Sequence, residues 1–145
     1  MAKKTIIKNI SKPSARQKIL IVDDEQDILT SMKMLVESMG YEAKTANNGK
    51  KALAALKKER FDLIFLDLLM PEMSGREVLE KIRANPKLKN QMVAFLTVVQ
   101  LSKPGEEIIK KLKPDAYIMK PIDVADFRKK IKKLLDKADK NGRKR

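Results

Sequence analysis

The stretch Phe61-Asp62-Leu63-Ile64-Phe65-Leu66-Asp67 decides the fold. Four apolar residues follow one another without alternation, and the run ends on an acid. A strand with one wet face alternates apolar and polar residues, whereas an unbroken run marks a strand covered on both faces, as in parallel sheets. Ile19-Leu20-Ile21-Val22, followed by Asp23-Asp24-Glu25, has the same form. Further β-rich runs fall at Tyr41–Ala46, Met92–Thr97 and Ala116–Met119. Segments of helical spacing separate them. The first carries Ile28, Met32, Leu35, Val36 and Met39 on one stripe and stops at Gly40. The second carries Ala52, Leu53 and Leu56; the third carries Val78, Leu79 and Ile82, with Ser74-x-x-Glu77 as a capping box. The fourth, Pro104 to Leu112, rests on Ile108, Ile109 and Leu112 and is the weakest. The last opens at Asp123 as N-cap and carries Val124, Phe127, Ile131, Leu134, Leu135 and Ala138. Strands alternating with helices predict an α/β fold, a doubly wound (βα)5 unit on a five-stranded parallel sheet.

The 145 residues carry a net charge of +14, unevenly placed. Residues 1–18 hold six Lys/Arg and no acid, and residues 128–145 hold ten against Asp136 and Asp139. The remainder, with seventeen basic and seventeen acidic residues, is neutral. The expected organisation is a basic, disordered arm over 1–17, one domain over 18–139 and a basic tail over 140–145. With neither Cys nor His, disulfides, thiolate zinc sites and imidazole acid–base chemistry are excluded. No apolar run approaches the roughly 18 residues of a membrane span, and the basic N-terminal stretch lacks the apolar segment of a secretory signal.

In an open parallel sheet, ligands bind beyond the carboxyl ends of the strands. Four strand ends each deliver a polar group there: Asp23 and Asp24 after the first strand, Asp67 after the third, Thr97 at the fourth and Lys120 at the fifth. Three carboxylates in one pocket repel unless a cation joins them, and an all-oxygen donor set suits Mg²⁺.

These residues, in the stretches Ile19–Glu25, Asp67-Leu-Leu-Met-Pro-Glu-Met-Ser-Gly75, Leu96-Thr97 and Tyr117-Ile-Met-Lys-Pro121, closely resemble the receiver domain of two-component response regulators. The resemblance covers about residues 18–139 and implies a flavodoxin-like, chemotaxis-receiver-like fold. It implies that Asp67 accepts a phosphoryl group from a histidine kinase or phosphotransfer protein. Asp24, Asp67 and the backbone carbonyl of Leu69 would hold Mg²⁺, with Asp23 acting through bound water. Thr97 and Lys120 would contact phosphoryl oxygens, and the bond before Pro121 would be cis. Thr97 and Tyr117 would form the switch, which acts on an output protein at the face of the fourth helix, fifth strand and fifth helix. The resemblance further implies a cytoplasmic phosphorelay switch that catalyses only its own phosphorylation and dephosphorylation, with no output domain in this chain.

Three departures stand out. Val98 and Val99 follow Thr97 where a small residue is usual, Leu69 is apolar, and Lys113-Pro114-Asp115-Ala116 leads into the fifth strand in place of the common Gly-Ala-Asp-Asp. Two other functions fit the sequence less well. A nucleic-acid binder would use the basic ends, but no aromatic interleaving or helix-turn-helix accompanies them, so they read as solvated and nucleic acid is not expected as a partner. A flavodoxin-like cofactor binder or a phosphatase would not place Asp23-Asp24-Glu25 where a cofactor phosphate must sit.

Overall fold

The computed structural model describes residues 16–140. Five strands, β1 (Lys18–Val22), β2 (Glu42–Ala46), β3 (Leu63–Leu66), β4 (Val93–Thr97) and β5 (Ala116–Met119), alternate with five helices, α1 (Gln26–Ser38), α2 (Gly49–Lys58), α3 (Gly75–Ala84), α4 (Lys103–Lys111) and α5 (Val124–Lys140). All pairings are parallel, in the order β2-β1-β3-β4-β5. The expected (βα)5 architecture is present.

The unbroken apolar runs are explained by two cores. Alternate residues of each strand face opposite ways, so Ile19, Ile21, Leu63, Phe65, Ala94 and Leu96 join α1 and α5 on one face. Leu20, Val22, Ile64, Leu66, Val93 and Phe95 join α2, α3 and α4 on the other. Phe65 and Phe127 meet at 5.1 Å between ring centroids and are both fully buried, each contributing about 1.5–3 kcal/mol by removal from water. Strand order reverses direction between β1 and β3, which puts the topological switch point beside Asp23 and Asp67.

Helix signals behaved as their chemistry requires. Ser74 and Glu77 close the capping box, Asp123 Oδ1 accepts from the Asp126 N–H at 2.9 Å, and Gly40 ends α1 at φ 96°. Ser102, unforeseen, caps α4 by accepting from the Gly105 N–H at 3.2 Å.

Some boundaries differ from expectation. Tyr41, Phe61, Asp62 and Met92 precede their strands, because the ladders begin where parallel register permits, at Glu42, Leu63 and Val93. In α1 Leu29 is the buried residue at that turn, with Ile28 only partly covered. The Gln17 carbonyl, assigned to the arm, accepts from the Glu42 N–H at 3.0 Å. The disorder expected for the N-terminal arm and the bulk of the C-terminal tail falls on residues 1–15 and 141–145, outside those described.

The departure at Lys113–Ala116 has a structural counterpart. Arg83 on α3 donates to the carbonyls of Leu112, Lys113, Lys89 and Gln91 at 2.7–3.0 Å and pairs with Asp115 at 3.5 Å. Asp115 in turn accepts from the Val93 N–H at 2.8 Å. This clamp fixes the loop into β5, where Lys113 takes φ 54°.

Candidate functional site

Each strand-end residue is carried to the same rim by the ladder itself. The Asp67 N–H donates to the Val22 carbonyl at 2.9 Å, extending β3 alongside β1, and the Lys120 N–H donates to the Thr97 carbonyl at 2.8 Å, extending β5 alongside β4. Asp23 is 2% exposed, Asp67 9% and Thr97 fully buried, whereas Asp24 is open to solvent. Lys120 Nζ lies 2.7 Å from Asp23 Oδ2, and Asp23 Oδ1 accepts from the Glu25 N–H at 2.9 Å. One carboxylate oxygen from each of Asp23, Asp24 and Asp67 lies within 4.8 Å of the others. Three hard oxygen donors this close, two of them buried, fit a single small divalent cation such as Mg²⁺.

Burial pushes the Asp67 carboxyl above its usual range, and the charge of Asp23 adds to this. Hydrogen bonding from Thr97, the charge of Lys120 and the Leu68 backbone act in the opposite sense and do not outweigh it. An acid crowded by a second acid inside a protein is held above the energy it would have in water, and a cation relieves it.

Thr97 Oγ1 also accepts from the Val99 N–H at 3.3 Å. Tyr117 stands opposite Phe95 in the β4–β5 ladder, its ring centroid 5.8 Å away. Its hydroxyl donates to the Val99 carbonyl. Burial and then the Asp67 charge raise the Tyr117 hydroxyl pKa. The Lys120–Pro121 bond is cis. Leu69 and Val98 turn apolar side chains to solvent, 63% and 66% exposed.

Gly75 closes the Asp67–Gly75 motif, and its position requires a glycine. The segment after Asp67 doubles back, with the Met73 N–H on the Pro71 carbonyl at 2.7 Å, Glu72 at φ 68° and the Gly75 N–H on the Leu68 carbonyl at 2.8 Å. A Cβ on Gly75 would stand 2.1 Å from the Asp67 carbonyl oxygen. Only glycine lets α3 begin this close to the central acid.

With this geometry in place, comparison with known proteins is direct. The family model described as the response regulator receiver domain matches residues 19–132. The chain belongs to the response regulator receiver family. The solved receiver domain protein (CheY-like) of Methanospirillum hungatei JF-1 is 35% identical, covers 88% of this chain and 99% of its own, and superposes with a TM-score of 0.80. The polar-differentiation response regulator DivK of Brucella anthropi is 35% identical over 120 residues, 83% of this chain and 97% of its own. The alkaline phosphatase synthesis transcriptional regulatory protein PhoP of Bacillus subtilis is 32% identical over 127 residues, 85% of this chain and 50% of its own. The receiver chain thus spans about half the length of several curated relatives it matches and nearly all of DivK. Among the described residues no helix is long and apolar enough to cross a membrane.

Proposed function

We propose that this receiver is a phosphoacceptor switch in which Asp67 takes a phosphoryl group from a histidine kinase or phosphotransfer protein. The observation that carries this reading is the buried Asp67 carboxylate set among Asp23, Asp24, Thr97 and Lys120. An Asp67 carboxylate oxygen attacks phosphorus, the P–N bond of the donor phosphohistidine breaks, and the imidazole nitrogen keeps the electron pair. Asp24, Asp67 and the Leu69 carbonyl would hold Mg²⁺, with Asp23 acting through bound water. When bound, the cation neutralises charge on the transferring oxygens, a stabilisation that phosphoryl transfer depends on.

The protein's own groups do the rest. Lys120 has one N–H on Asp23 and two further donors for phosphoryl oxygen. Thr97, buried beside Asp67, supplies a hydroxyl to a second oxygen. Drawing that hydroxyl toward the phosphoryl group disturbs its bond from the Val99 N–H, and Tyr117 holds the carbonyl of the same residue. The tie between Tyr117 and Val99 therefore links chemistry at Asp67 to β5 and α4, where an output protein would dock. The receiver acts on its own phosphoryl group and on no separate substrate.

Incubation with acetyl phosphate, read by intact mass, tests the proposal. One phosphoryl group should add in Mg²⁺ and none in EDTA or in Asp67→Asn. Uptake that ignores both changes would overturn it.

A further inference from the structure

α4 is seated unevenly. Ile109 is its one buried residue in nine, whereas α3 buries Val78, Leu79 and Ile82. Leu112 adds a partly buried contact just past the same end, while Ser102, Lys103 and Pro104 at the amino end are all exposed. Apolar burial therefore holds the carboxyl half of the helix, and little holds the amino half. Beside the helix runs an open groove of about 570 Å³, bounded by Leu101, Glu106, Ile109 and Lys110 on one side and by Tyr117 and Met119 of β5 on the other. A helix bordering such a gap can turn without first displacing close-packed side chains.

The two ends are tied by different bonds. At the amino end the chain passes from Val99 through Gln100 and Leu101 to the cap Ser102. Val99 donates its N–H to Thr97 Oγ1 at 3.3 Å and accepts from the Tyr117 hydroxyl, so both ties run to the switch pair. At the carboxyl end Arg83 Nε donates to the Leu112 carbonyl at 3.0 Å, and Nη2 donates to that of Lys113 at 2.8 Å. Nη1 of the same guanidinium bonds the Lys89 and Gln91 carbonyls at 3.0 and 2.7 Å, which joins this end to the loop before β4. Asp115, 3.5 Å from Arg83, is bonded to Val93 in both directions, its N–H donating at 2.7 Å and its carboxylate accepting at 2.8 Å. Lys113 is held at φ 54°, a left-handed conformation that a lysine keeps only where its surroundings impose it. These groups stand at the starts of β4 and β5, the end of the parallel sheet opposite Asp67, beyond the reach of the phosphoryl chemistry.

We propose that Arg83 is a positioning residue about which the switch turns: it holds the carboxyl end of α4 to the starts of β4 and β5, so that phosphorylation moves the amino end. Given Asp67 as the phosphoacceptor, on which this rests, Thr97 is the group that moves. Drawing Thr97 Oγ1 to the phosphoryl group takes the acceptor from the Val99 N–H, and the motion passes through Gln100 and Leu101 to Ser102. α4 is a rod about 13 Å long, so a displacement at Ser102 falls away toward a fixed Leu112. A helix pinned at one end swings, whereas one held equally loosely at both ends would shift as a whole. The groove beside Tyr117 and Met119 then changes width most at its Leu101 end, a wedge-shaped change that an output protein can read. Arginine suits the pivot because its planar fork holds several carbonyls at once in fixed directions.

The test is hydrogen exchange of the full chain at single-amide resolution, in Mg²⁺ with and without acetyl phosphate, with uptake at Asp67 confirmed by intact mass on the same samples. Phosphorylation should change exchange at Val99, Gly105 and Glu106 by about tenfold, as for loss of one or two hydrogen bonds, and leave Leu112, Lys113 and Asp115 unaltered. Arg83→Lys keeps a positive charge near Asp115 but replaces the fork with one compact ammonium. Its uptake should equal the parent's, because Arg83 stands at the far pole, while Leu112 and Lys113 now respond to phosphorylation by about tenfold as well. Arg83→Gln should behave alike, and the comparison of the two helix ends within the parent needs no variant. Uptake with equal changes at both ends of α4 in the parent, no change at Val99, or variants whose carboxyl-end amides ignore phosphorylation would each overturn the pivot and leave Asp67 as the acceptor. Absence of uptake would overturn both.

Discussion

Replacing Gly75 by Ala puts one methyl group against the backbone that carries Asp67. The new Cβ would stand 2.1 Å from the Asp67 carbonyl oxygen and 2.9 Å from both the Asp67 carbonyl carbon and Leu68 Cα. Ordinary contact begins near 3.4 Å, so about 1.3 Å of separation must be found between β3 and the start of α3. Neither side is a flexible side chain. Overpacking of this kind costs about 1–3 kcal/mol, and a purely backbone clash belongs at the upper end. Against it, Ala restricts the unfolded chain and favours the helix, together about 1 kcal/mol. The clash wins by roughly 2 kcal/mol. Displacing the nucleophile by about 1 Å should also slow phosphoryl uptake about 10²-fold. Gly105→Ala is the control, because its nearest neighbour is the Ser102 hydroxyl at 3.3 Å and its φ is ordinary; it should be neutral or stabilising. Urea unfolding and the rate of acetyl phosphate uptake measure both effects. A Gly75→Ala chain as stable and as fast as the parent would refute the reasoning.

Asp24→Ala should leave the metal-free fold as stable as the parent or more so, since one of three crowded acids is gone, while Mg²⁺ ceases to raise the melting temperature; a clear loss of stability in EDTA contradicts this. Asp67→Asn should be more stable than the parent at pH 7 in EDTA. The Asp67 pKa is raised in the folded state, so its favourable contribution is present below the ordinary carboxylate range near pH 4 and is lost as pH rises through the raised value. The margin between Asn and Asp should therefore shrink as pH falls toward about 4, and urea unfolding at both pH values that shows a constant margin would exclude it. Leu69→Asn combined with Val99→Glu should speed loss of the Asp67 phosphoryl group by up to about 10²-fold, because polar groups at these flanking positions can orient the attacking water. Equal decay of parent and variant would show that the apolar flank does not slow hydrolysis.

The sequence carried the sheet and the rim because both follow from local rules. Ile19–Val22 and Leu63–Leu66 are apolar on both faces, and the residue that ends such a strand can only emerge at the rim. Asp23, Asp67, Thr97 and Lys120 are ordinary strand-end residues one at a time and were legible only as a set, which the ladder brings to one rim. Ends of strands were less legible, since Tyr41 and Phe61 have strand chemistry but lie before the paired register begins. Arg83 could not be foreseen: its acceptors are backbone carbonyls of Lys89, Gln91, Leu112 and Lys113, which leave no mark on residue type. Tyr117 was expected only as the aromatic partner of Thr97 in the switch; the bond from its hydroxyl to the Val99 carbonyl is again a side chain meeting backbone and left no mark in the sequence. Gly75 was visible as a motif member, but its need depends on a distance to Asp67 that only the fold sets.

The central claim is that one carboxylate, Asp67, carries the phosphoryl group. Its most direct test is reduction of the phosphorylated chain with borohydride, which converts an acyl phosphate to an alcohol, followed by peptide mapping. Homoserine should appear at position 67 alone, dependent on Mg²⁺ during phosphorylation. Homoserine at position 23 or 24, or none at 67 after demonstrated uptake, would contradict it.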